Sequence, residues 1–187
     1  MSRKPEYDTQ VQRYLQVSID AVKAVRTVYM DANFTEAEVL NNVSGVYLIF
    51  FYNANGKLFT YIGESDNVYK RWKQHRYGIQ SLKKTLYNKF RRHLGTNDIS
   101  NIAFVLLERD LDDQNARLYR ETYNIYKFKS RNYSLNSKNC SSRLRCPDGT
   151  HGRCRTWLSY KVVDEKVVLL VFGKSINKNC NLTFVIK

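Results

Sequence analysis

Residues 45–63 read GVYLIFFYNANGKLFTYIG: two apolar runs, rich in aromatic and branched side chains, on either side of Asn53-Ala54-Asn55-Gly56. Turn-forming residues between strand-forming runs specify a β-hairpin, with strands over about 45–52 and 57–62. Strand alternation sends Tyr47 and Ile49 to one face and Val46 and Leu48 to the other. Two glycine-tyrosine triplets, Gly45-Val46-Tyr47 and Tyr61-Ile62-Gly63, bracket the hairpin. Arg71 and His75 follow at 10 and 14 residues after Tyr61, and Glu121 and Asn136 come later.

On the N-terminal side, Pro5 suits the first position of a helix. Val11, Leu15, Ser18, Val22, Val25 and Tyr29 follow at alternating spacings of four and three, which predicts one helix over roughly 6–30. Thr35 with Glu38 resembles a capping box and predicts a short helix to about Leu40. On the C-terminal side, Ser65 or Asp66 can cap a helix that Gly78 ends. A second helix starts at Ser81, carries Leu82, Leu86, Phe90 and Leu94, and stops at Gly95. The apolar run Ile102–Leu107 predicts a central strand. Asp112 and Asp113 open a helix to about 128 with Leu118, Thr122 and Ile125 on one face.

The pattern β-β-α-α-β-α predicts an α/β (α+β) fold, a small mixed β-sheet flanked by helices. Three parts are expected: a helical extension over 1–42, the core over 43–137, and an appendage over 138–187. The appendage combines a basic, cysteine-bearing loop with strand-like runs at 156–163, 166–172 and 180–186, a β-meander. It could extend the sheet, bind DNA or join two copies as a homo-oligomer.

Charge narrows the function classes. The 187 residues carry a formal charge of +14, placed unevenly. Residues 67–97 hold nine Lys/Arg and no acid, and residues 127–155 hold eight against Asp148, whereas residues 1–44 are close to neutral. Single-sign stretches on a compact chain are the footprint of a polyanion partner, although a solvated basic surface is the ordinary alternative. The basic helices lack the exposed apolar face that a membrane surface needs. No stretch approaches 18 apolar residues and no secretory signal opens the chain, so an intracellular, soluble protein is expected. Cys140, Cys146, Cys154 and Cys180 lack the C-x2-C knuckle of a zinc site; with His151 nearby a structural Zn²⁺ is conceivable, but reduced thiols are preferred.

As a set, the two triplets, the helix string Tyr69-Lys70-Arg71-Trp72-Lys73-Gln74-His75, Glu121 and Asn136 resemble the GIY-YIG nuclease superfamily over about residues 43–137. Val46 stands where the family name has isoleucine, an apolar exchange. The resemblance implies that Tyr47 and Tyr61 face one catalytic surface, with Tyr47 the general base or the hydroxyl that relays the water's proton and Tyr61 orienting that network. It implies a transition-state role for Arg71, proton transfer assisted by His75, and substrate or site orientation by Asn136, with Asn132 a close competitor. Glu121 would be the one protein ligand of Mg²⁺ or Mn²⁺, with Glu108 the next candidate and Glu64 a peripheral acid. Taken singly each residue has a plainer reading: a strand tyrosine packs, and a helical Arg or Glu forms a surface pair.

The resulting expectation is a metal-dependent DNA endonuclease that leaves 5′-phosphate and 3′-hydroxyl ends, restriction-like or encoded by a virus or mobile element. Its alternatives are an inactive nucleic-acid-binding module on the same fold and a structure-specific repair nuclease. Lys70, Lys73, Arg76, Arg143, Arg145, Arg153 and Arg155 are the expected DNA contacts.

Overall fold

Gly45–Tyr52 (β2) and Leu58–Ser65 (β3) pair antiparallel in the computed structural model, which describes residues 5–81, 85–95, 98–130, 134–136, 155–163, 166–174 and 179–185. Asn53 templates their turn. Its side-chain oxygen accepts from the backbone N–H of Asn55 at 3.1 Å and of Lys57 at 2.8 Å. Gly56 takes φ +70°, a left-handed conformation that a side chain disfavours.

Ala103–Arg109 (β4) pairs with β2, and Val28–Met30 (β1) pairs with β4, giving the order β1-β4-β2-β3. The α/β class stands, but the sheet expected to be mixed is antiparallel in every described pairing. The order explains this. β1 runs with β2 and β3 runs with β4, and neither of those couples is adjacent.

Pro5–Val25 (α1) stops short of the expected residue 30, because Val28 and Tyr29 pair with Val105 and Phe104 on β4. Tyr29 is still buried, with its ring centroid 5.9 Å from that of Trp72. Periodicity found a buried residue and misjudged its backbone. Asp31–Leu40 is a 3-10 segment that bends at Asn33, longer than the expected helix and without a side-chain cap at Met30.

Val68–Ser81 (α2) runs through Gly78 instead of ending there. Its cap is Asn67, whose Oδ1 accepts from Lys70 N at 2.9 Å, while Ser65 in turn accepts from Asn67 N. Gly78 serves packing: a Cβ there would lie 2.0 Å from the Tyr87 ring. Thr85–Leu94 (α3) thus lies against α2, and Gly95 ends it at φ +74°. The expected first turn of that helix, at Leu82, lies outside the described residues. Gln114–Lys127 (α4) is capped by Asp113, which accepts from Ala116 N at 2.7 Å.

Two layers cover the sheet. Tyr47, Ile49, Phe51 and Phe59 face Trp72 of α2 and Phe90 of α3 in one aromatic-rich core. On the other face Phe50 meets Lys23 of α1, and Glu64 meets Arg117 of α4. No helix of the described residues is long and apolar enough to cross a membrane.

β2 and β4 approach closely at Gly45. A Cβ on Gly45 would sit 2.0 Å from the carbonyl oxygen of Glu108. Backbone cannot yield there as a flexible side chain would. Gly45→Ala is therefore expected to cost about 3 kcal/mol, the upper part of the overpacking range, read as a lower urea midpoint. An unchanged midpoint would mean that the strands can separate freely.

The chain divides into two compact units, Met1–Lys138 and Asn139–Lys187. The second unit holds Arg155–Val163 (β5), Lys166–Lys174 (β6) and Asn179–Val185 (β7), antiparallel in the order β5-β6-β7. The expected meander is present. The basic loop with Arg143, Arg145, Arg153, Cys140, Cys146, His151 and Cys154 lies outside the described residues, as does Asn132.

Candidate active site

Tyr47 is fully buried, and its hydroxyl lies 2.8 Å from Nε2 of His75, itself fully buried. The phenol reaches this position because Gly63 stands opposite it in the β2–β3 register. A Cβ on Gly63 would come within 2.3 Å of the Tyr47 hydroxyl. The two triplets are thus physically coupled, since the glycine of one makes room for the tyrosine of the other. A register irregularity at Val46/Tyr47 against β4 bends the strand at the same point.

His75 rises from α2 between aromatic edges. Tyr61 meets it edge-on at 5.3 Å between centroids and Tyr87 at 5.8 Å. One turn earlier on α2, part-buried Arg71 donates from Nη1 to Gln74 Oε1 at 2.9 Å. Burial, followed by Tyr61 and Glu121, raises the Tyr47 pKa well above its usual value, and Arg71 opposes that rise. Burial lowers the Arg71 pKa, but Tyr47, Tyr61 and Tyr87 outweigh it, and the net direction is up. At neutral pH the arrangement holds a protonated phenol beside a charged guanidinium.

Glu121 sits on α4 at 6% exposure, and its charge reaches Tyr47. Two other acids of the region carry arginine partners. Glu64 Oε2 accepts from Arg117 Nε at 3.0 Å, and Arg117 also donates to the carbonyls of Leu111 and Asp112, each at 2.7 Å. Glu108 accepts from Arg120 and, at 2.7 Å, from Asn124. These pairs anchor α4 to the ends of β3 and β4. The Arg117–Glu64 pair is invisible in sequence, since its partners are 53 residues apart.

Asn136 clasps the second triplet. Its Oδ1 accepts from Ile62 N at 2.9 Å and its Nδ2 donates to Ile62 O at 2.8 Å. β3 is an edge strand, and Leu135 N donates to Thr60 O at 3.1 Å on the same edge. With both amide groups of Asn136 on the backbone, its place is to hold the Tyr61-Ile62-Gly63 strand. Asn136→Ala leaves two buried groups of Ile62 without partners, at about 1–3 kcal/mol for each. The expected result is a lower urea midpoint, with Asn136→Asp recovering part of it through the retained acceptor. A midpoint equal to the parent's would show that the clasp contributes nothing.

Of the basic residues expected to meet DNA, Lys70 and Lys73 are exposed on α2. Arg76 is engaged elsewhere: Nε donates to Asp31 Oδ1 at 2.5 Å, and its guanidinium lies 5.6 Å from the Phe34 ring centroid. Charge counting treats the three alike, and only packing separates Arg76. Arg155 opens β5 in the other unit.

The model of the GIY-YIG catalytic domain matches residues 43–134. Residues 43–134 form a GIY-YIG catalytic domain. No curated protein and no solved structure matches it. The GIY-YIG domain marks a nuclease-type hydrolase, and nucleases of this superfamily generally depend on a divalent metal. Among the described residues no group of three or more His, Cys, Asp or Glu forms a cage. One carboxylate, Glu121, whose charge reaches Tyr47, is a small hard-oxygen donor set. Such a set fits an ion that keeps most of its water, as Mg²⁺ does, and does not fit a site built for Zn²⁺.

Proposed function

We propose that this chain is a divalent-metal-dependent DNA endonuclease that hydrolyses phosphodiester bonds to 5′-phosphate and 3′-hydroxyl ends. The observation that carries the reading is the buried 2.8 Å contact between the Tyr47 hydroxyl and His75 Nε2, flanked by Arg71 and Glu121. Among the roles that the superfamily covers, a restriction-like or virus- or mobile-element-encoded enzyme is the one we carry forward.

Tyr47 does not act as a standing phenolate, because burial holds its proton on. It works as a relay. With the proton of His75 on Nδ1, the phenol donates to Nε2 and can take a proton from the attacking water as it passes its own to the imidazole. Tyr61 keeps the imidazole in place through its ring edge. Arg71 stays charged and directs a guanidinium fork at the phosphate, where negative charge grows in the transition state. Glu121 would hold Mg²⁺ or Mn²⁺. A bound ion of that kind makes water more acidic and screens the phosphate charge. Asn136 fixes the strand that carries Tyr61. Lys70 and Lys73 supply cations to the flanking phosphates, and Arg143, Arg145, Arg153 and Arg155 are further proposed contacts; the Asp31 pair removes Arg76 from the set.

Supercoiled plasmid incubated with the purified chain and Mg²⁺ tests the reading. Nicking or linearisation that stops in chelator is expected, with ends that a ligase joins without prior phosphorylation. No cleavage, or ends that need a phosphatase or kinase first, would contradict it.

A further inference from the structure

The outer side of α2 carries an open groove of about 560 Å³, lined by Tyr69, Lys70, Lys73, Gln74 and Tyr77 with Glu38 and Asn41 opposite. Resting on the nuclease reading, we propose that this groove is a subsite for an unpaired nucleotide next to the scissile phosphate. Tyr77 is its stacking platform, and Lys70 and Lys73 hold its phosphates.

Three observations lead there. Tyr77 is 61% exposed, an aromatic ring left in water within a segment that has nine Lys/Arg and no acid. Tyr69 differs: Phe34 stacks on it at 5.6 Å and Lys73 Nζ lies 5.3 Å from its centroid, so it forms a fixed wall. Tyr77 therefore presents the ring that an incoming base can cover. Lys73 lies one helical turn before Tyr77, and Lys70 nearly two, on the same side of the helix. Cations beside an exposed aromatic ring make the combination that single-stranded nucleic acid uses, with bases on rings and phosphates on lysines.

Position ties the groove to the reaction centre. Gln74, which lines it, accepts from Arg71 at 2.9 Å. Six residues of helix separate Arg71 from Tyr77, about 9 Å along the axis. Tyr77 lies about 120° around α2 from Arg71 with Gln74 midway, so a strand with its phosphate at Arg71 can pass Gln74 and wrap around the helix to reach Tyr77. Glu38 on the far rim repels phosphate and keeps the backbone on the lysine side. A base within a duplex is stacked on both faces and cannot use Tyr77. The platform therefore selects a splayed, frayed or flap nucleotide, which makes DNA with an unpaired segment at the cleavage point the preferred substrate class.

Binding of a fluorescein-labelled 12-nucleotide single strand, and of the same strand in a blunt duplex, tests this with full-length protein in chelator. Tyr77→Ala is expected to weaken single-strand binding by about 5- to 150-fold, the range for loss of one base–aromatic stack, and duplex binding by less than about twofold. Tyr77→Phe should retain single-strand affinity, and Lys70→Ala with Lys73→Ala should flatten its salt dependence by about 0.7 per lost contact. Equal weakening of both probes by Tyr77→Ala, or of neither, overturns the subsite. If wild type cuts plasmid in Mg²⁺ while Tyr77→Ala binds the single strand as the parent does, the nuclease reading stands and the subsite alone falls. If wild type binds neither probe and cuts nothing, both fall.

Discussion

Glu121→Ala should bring Mg²⁺-dependent cleavage close to background, a loss of at least about a thousandfold. Several kcal/mol of charge stabilisation leaves with the proposed metal ligand, at tenfold for each 1.36 kcal/mol. Folding should survive, because alanine is the best helix former, Arg117 still ties α4 to Glu64 and Asp113 still caps it. DNA binding in chelator should stay near the parent's. Glu121→Gln, which keeps the shape and loses the charge, should be nearly as inactive. Glu108 provides the contrast. Arg120 and Asn124 already hold its carboxylate, so Glu108→Gln is expected to disturb the β4–α4 junction more than the chemistry. Single-turnover rates with melting curves for the three variants separate these effects. A Glu121→Ala protein that cuts at the parental rate would return the metal to Glu108.

Arg71→Ala is expected to slow single-turnover cleavage by about 10²–10³-fold, the usual cost of one transition-state donor. Affinity measured in chelator should fall far less, because Lys70, Lys73 and other cations keep the polyanion bound. Arg71→Lys should recover only part of the rate. A lysine restores the charge but not the planar fork, and its ammonium would face three tyrosines in a part-buried site. Equal losses of rate and affinity would make Arg71 a phosphate clamp without a part in the chemistry.

Sequence disclosed the hairpin and the pairing of the triplets because turn chemistry and strand alternation are local properties. Asn53 and Gly56 do in three dimensions what their residue types imply. The expected helices over the Arg71 and Glu121 segments are present for the same reason, and the four-residue spacing put Arg71 and His75 on one face. Local rules failed where distant contacts decided. Tyr29 has helical spacing but becomes strand through β4, and Gly78 has the composition of a helix stop but is a contact for Tyr87. The site shows the same division. Its residue types could be picked from the sequence, but the 2.8 Å contact of Tyr47 with His75 and the glycine that permits it depend on the register of β2 and β3. Arg76 and Lys73 looked equivalent as charges. Asp31, 45 residues away, distinguishes them.

The central claim is that the buried Tyr47–His75 couple moves the proton when the phosphodiester bond breaks. Tyr47→Phe removes one hydroxyl and leaves the ring that fills the space beside Gly63 and Trp72. Its single-turnover cleavage rate at saturating DNA and Mg²⁺, set beside that of the parent protein, tests the claim most directly. The account predicts a fall of at least about 10²-fold, the lower end for general acid–base catalysis, with unchanged affinity and a fold that still melts cooperatively. A Tyr47→Phe protein that cuts within twofold of the parent rate would contradict it and leave Tyr47 as a packed strand residue.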